Sequence, residues 1–76
     1  MTLSSEIKIV RQKAFLSQTA FAQELGVSYT TVNRWETGKA KPNLSAMKNI
    51  KDFCEKKKMD YTPVETAWIS STVNEG

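Results

Sequence analysis

Gly26, Gly38 and Pro42 cut the middle of the chain into lengths that admit only two short helices. The stretch between Ser17 and Pro42 reads SQTAFAQELGVSYTTVNRWETGKAKP. Ser17 is a good N-cap, since its hydroxyl can accept from an otherwise orphaned backbone N–H. Phe21, Ala22 and Leu25 then fall on one helical face. Gly26 supplies the left-handed backbone that ends a helix, a conformation a residue with a Cβ adopts only at a cost. Ala22 is small where a wide crossing would bring two helices together, and Val27 can tuck into a core at the turn. Ser28 offers a second N-cap, and the spacing predicts a second helix to about Thr37, closed by Gly38 and barred from continuing by Pro42.

At about 100° per residue, Val32 and Trp35 of this second helix point one way. Tyr29, Thr30, Asn33, Arg34 and Thr37 gather on the opposite side in an arc of roughly 140°. Arg34 is the only charge there. An ordinary solvated face would carry Glu and Lys. Arg can pair bidentately with guanine and Asn with adenine, and a Thr methyl can touch a thymine methyl, so this face suits base edges.

The pattern Ser17-Gln18, Phe21-Ala22, Leu25-Gly26-Val27-Ser28, Thr31-Val32, Arg34-Trp35-Glu36, Gly38 and Pro42 strongly resembles the phage repressor and Cro type of helix-turn-helix protein, the xenobiotic-response-element family. With Arg11 upstream and the apolar positions downstream, the resemblance covers about residues 3–54. It implies an all-α bundle of four to five short helices, lambda-repressor-like, with the helix-turn-helix at about 17–38. It also implies that Arg11 pairs with Glu36 in a structural role. Gln18 would contact a phosphate and brace the recognition helix, and Lys39 and Lys41 would run beside the DNA backbone. Phe15 departs from the family's usual glycine, which leaves two readings for that turn: packing on the surface, or a slight extension of the first helix.

Around this core the chain reads as one small domain over residues 1–69. Leu3, Ile7, Val10 and Ala14 make a stripe on a first helix over 2–14, capped by Thr2 or Ser4. Asn43 or Ser45 caps a fourth helix with Leu44, Met47, Ile50 and Phe53 as its stripe, Cys54 beside them, and Lys48 and Lys51 solvated. Lys56-Lys57-Lys58 suits a helix C-terminus. Thr62-Pro63-Val64-Glu65 reads as a capping box opening a short helix to about Ile69, and residues 70–76 as a frayed tail. Trp68 has two readings: docking onto the first and fourth helices, or a homodimer contact through the C-terminal region.

Charge is distributed unevenly. Residues 1–58 hold all eleven basic side chains against five acids, a net +6, while residues 59–76 hold three acids and no base. A basic body is what a phosphate-binding domain needs. The chain has no histidine and one cysteine, Cys54, which removes the usual general base, any internal disulfide and any cysteine-cluster metal site. No catalytic constellation, metal or other cofactor, or small-molecule ligand is implied. No run approaches a membrane span, and no secretory signal opens the chain, so the reading is cytoplasmic. The expectation is a sequence-specific regulator binding double-stranded DNA, with a protein-interaction adapter or an antitoxin on the same scaffold as the alternative.

Overall fold

The computed structural model describes residues 2–74. Five helices follow in order: α1 (Leu3–Lys13), α2 (Gln18–Leu25), α3 (Tyr29–Glu36), α4 (Leu44–Lys56) and α5 (Thr62–Asn74), with no strand among the described residues. None is long and apolar enough to cross a membrane.

Each early boundary has a local cause. Thr2, rather than Ser4, caps α1: its hydroxyl accepts from Ser5 N at 3.2 Å, and Ser5 Oγ donates to Thr2 O at 2.9 Å. Ser17 accepts from Ala20 N at 3.1 Å, Ser28 from Thr31 N at 3.1 Å, and Asn43, rather than Ser45, accepts from Ala46 N at 2.8 Å. Gly26 ends α2 at φ 72°, and Val27 N closes that turn on Ala22 O at 3.0 Å. Gly38 follows α3 at φ 77°, where an added Cβ would also stand 3.4 Å from Ser4 Oγ. The α3 helix ends at Glu36, with Thr37 as its cap.

The core gathers Ile7 and Val10 of α1, Phe21, Ala22 and Leu25 of α2, Val32 and Trp35 of α3, Met47, Ile50, Phe53 and Cys54 of α4, and Val64 of α5. Leu3 and Ala14 pack against it only partly buried. Phe21 meets Phe53 edge to face, with centroids 5.2 Å apart. Burial pushes the Cys54 thiol up to about 11, with Asp60 and Glu55 adding to the effect, so Cys54 stays a small protonated core residue.

Four expectations need correction. Leu44 does not join the α4 stripe and is 67 % exposed. A three-residue step turns about 300°, so positions spaced by three fall back about 60° each time; from Phe53 to Leu44 the drift reaches half a turn. Phe15 neither packs on the surface nor lengthens α1. It takes the left-handed conformation, φ 59°, that glycine would take, with its ring 94 % exposed. Thr62 is the first residue of α5 rather than its cap. Asp60 Oδ1 accepts from Thr62 N at 3.0 Å, and Tyr61 O accepts from Glu65 N at 3.0 Å, which leaves Pro63 in the first turn, where a missing N–H costs nothing. Finally, α5 runs past Ile69 to Asn74, since neither glycine nor proline stands in that interval to stop it. The end of the expected tail, Glu75 and Gly76, lies outside the described residues.

The lysine run has a partly structural use. Lys57 caps α4 with its Nζ 5.8 Å from the Phe53 ring centroid, and Lys58 takes the left-handed φ of 58° that turns the chain toward α5. The α5 helix packs on α1. Tyr61 hydroxyl donates to Met47 O at 3.3 Å just before α5 begins.

Candidate nucleic-acid interface

The α2–turn–α3 unit presents α3 with one face to the core and the other to solvent. Val32 and Trp35 are buried, while Tyr29, Thr30, Arg34 and Thr37 are exposed and Asn33 is half-buried. The expected arc is therefore open. Glu36, the one acid on α3, is turned inward, with its side chain only 3 % exposed. Arg34 is thus the only ionised group on the outward face of α3, and nothing acidic on that helix opposes an approaching phosphate.

A polar network fixes α3 from behind. Arg11 Nε donates to Glu36 Oε2 at 2.7 Å and Nη2 to Glu36 Oε1 at 3.0 Å, a bidentate pair. Arg11 Nη1 donates to Leu16 O at 2.9 Å, which ties the α1–α2 turn into the same site. The hydrogen bonds that Arg11 donates to Glu36 outweigh burial and hold the guanidinium above its ordinary pKa. The donors of Arg11 are thus committed inward, and its side chain is 14 % exposed.

Gln18 bridges this network to the outward side of α3. Its Nε2 donates to Glu36 Oε1 at 3.0 Å, and its Oε1 accepts from Asn33 Nδ2 at 3.4 Å. Asn33 is thereby oriented through two relays from a buried ion pair. Thr37 is exposed and its hydroxyl donates to Asn33 O at 2.9 Å.

After α3 the chain loops back. Lys39 N and Ala40 N both donate to Arg34 O, at 2.9 and 3.3 Å, and Arg34 Nη2 donates to Lys39 O at 3.4 Å. Lys39 is exposed, whereas Lys41 is half-buried, so the two loop lysines are not equivalent. A groove of about 450 Å³ lies beside Lys41, lined also by Thr31, Arg34 and Asn49. Trp68 Nε1 donates to Pro42 O at 2.7 Å. This link between α5 and the loop was not legible in sequence, because 26 residues separate the partners and no periodicity connects them.

An α2–turn–α3 pair with an inward Val32–Trp35 face and an outward polar face defines a helix-turn-helix domain. A helix-turn-helix family model matches residues 7–61, and the chain belongs to that family, in its phage repressor and Cro branch. Among curated proteins it is 34 % identical over 53 residues to the HTH-type transcriptional activator BcrR of Enterococcus faecalis. That match covers 70 % of this chain but 26 % of the relative, so the chain spans about a quarter of that protein's length. No solved structure matches. The family match ends just before α5.

Proposed function

We propose that the chain binds double-stranded DNA sequence-specifically and regulates transcription, with the recognition helix and its caps, residues 28–37, lying in the major groove. The carrying observation is the outward face of α3: a polar arc clear of the core, backed by a braced ion pair. Tyr29, Thr30, Asn33 and Arg34 reach base edges or adjacent phosphates. Gln18, Thr37, Lys39 and Lys41 anchor the backbone. The relative's name supports transcription as the process.

Such a domain reads few base pairs alone. We place its homodimer contact in the C-terminal region, where exposed Leu44 and Ile69 flank Trp68 around one shallow cavity. Two copies would read half-sites about one DNA turn, ~34 Å, apart.

In-vitro selection from randomised duplexes tests this. A two-fold symmetric enriched motif is the expected result, and Lys39→Ala should weaken every duplex by a similar factor without altering the motif. Absence of any enriched motif would favour the adapter reading and end this one.

A further inference from the structure

The stretch 38–42 is held at both ends. Its front is tied to the end of α3 by the two amides on Arg34 O. Its first residue, Gly38, stands beside Ser4 of α1, where an added Cβ would lie at ordinary contact distance, 3.4 Å from Ser4 Oγ. Its rear is held by α5, through the 2.7 Å bond from Trp68 Nε1 to Pro42 O. Pro42 is buried and has no N–H of its own, so its carbonyl is the one backbone polar group it can use.

We propose that α5 sets the pose of the Lys39–Lys41 loop through Trp68, which is therefore a positioning residue for DNA phosphate contact. This rests on the DNA-binding reading above and extends it to a helix outside the family match. A loop ordered before binding does not lose its conformational freedom on the duplex, so pre-ordering raises affinity. Phosphates are the same at every step, so the gain is blind to sequence. Val64, fully buried, gives α5 a second anchor in the core, so loss of the indole N–H should leave the helix docked.

The test is Trp68→Phe in the full chain, with three readouts. In the absence of DNA, tryptic cleavage at the Lys39–Ala40 bond should rise several-fold well below the melting temperature; the Lys41–Pro42 bond resists trypsin and cannot confuse the pattern. With DNA, affinity for the selected site and for an unrelated duplex should both fall by roughly fivefold to tenfold, the worth of one hydrogen bond. The slope of log affinity against log salt should shrink by about one phosphate. Lys39→Ala should then cost less in the Trp68→Phe chain than in the parent, because an unposed lysine has less to lose.

Tyr61→Phe is the control. It removes the bond to Met47 O beside the same helix without touching the loop, so it should lower stability and leave the salt slope unchanged. If Trp68→Phe fails to fold, a synthetic chain with benzothienylalanine at position 68 keeps the bicycle and removes only the N–H. Unchanged cleavage and affinity would overturn the proposal, as would Trp68→Phe and Lys39→Ala acting independently, or an equal slope change in Tyr61→Phe. A parent chain that binds no duplex would sink the DNA reading and the phosphate role with it. Raised cleavage in the variant would still show separately that α5 holds the loop.

Discussion

The two sides of α3 use the same eight residues for opposite ends. Val32, Trp35 and Glu36 face inward and are packed or ion-paired; Tyr29, Thr30 and Arg34 face outward and make almost no demand on the fold. A rotation of roughly 150° separates the Val32–Trp35 side from the Thr30–Arg34 side, while Glu36 lies near their border beside Tyr29. On the proposed DNA-binding reading, stability is therefore insulated from recognition: the outward set is free to change while the inward set keeps the helix seated. Asn33 and Gln18 stand on the border, joined to each other by a hydrogen bond and to the inward set through Glu36.

The largest expected effect is on the inward side. Arg11→Met strips Glu36 of its bidentate partner, leaving a carboxylate 3 % exposed with only the Gln18 amide. A buried charge left uncompensated costs about 3–5 kcal/mol, a large part of what holds so small a domain together. Urea titration followed by circular dichroism measures it. Adding Glu36→Leu to the same chain should recover much of the loss, because an apolar pair replaces an ion pair at little net cost. A single substitution within about 1 kcal/mol of the parent would mean that the inward face does not seat α3.

Arg34→Ala probes the outward side and should invert that pattern. The side chain is exposed, and its one internal bond, to Lys39 O, is long at 3.4 Å. Stability should move by no more than about 0.5 kcal/mol, as for most surface changes. Discrimination at one base position should fall by about 1–3 kcal/mol, read by competition with single-base variants of the selected site. A loss of stability comparable to that of Arg11→Met would erase the distinction between the two faces.

The same contrast separates what was legible in sequence from what was not. Ser17, Gly26, Ser28 and Gly38 mark their boundaries through neighbours within a few residues, so their roles could be read directly. The outward arc follows from helix geometry and side-chain chemistry alone. Phe15 misled because the backbone demands a left-handed residue there whatever side chain occupies it. Leu44 misled because a three-residue repeat drifts off the face. Asp60 and Tyr61, rather than Thr62, open α5: the local pattern Thr-Pro-Val-Glu fits two registers, and the bonds to Asp60 Oδ1 and Tyr61 O mark the one adopted. Within the site, the Arg11–Glu36 pair was reachable through the family pattern. The Gln18–Asn33 relay, 15 residues apart, and the Trp68–Pro42 bond depend on tertiary placement that no local spacing encodes. The burial of Glu6 on α1 likewise had no sequence signal.

Gln18 offers the finest test, because it belongs to both sides at once. In Gln18→Ala the Arg11–Glu36 pair survives, so stability should fall by only about 1 kcal/mol, the worth of one hydrogen bond. Asn33 loses its brace, at 3.4 Å already the weakest bond in the relay, and its side chain becomes free to rotate. Discrimination at the base it reads should therefore fall by about 1 kcal/mol or less, since ordering a short side chain is a small entropic cost. The decisive quantity is the coupling. With Asn33→Ala as the second change, a relay predicts that the double variant loses less than the sum of the two singles, measured as binding free energy on the selected site. Strict additivity would mean that Gln18 contributes only its own phosphate contact and that the ion pair behind α3 holds the helix without orienting Asn33.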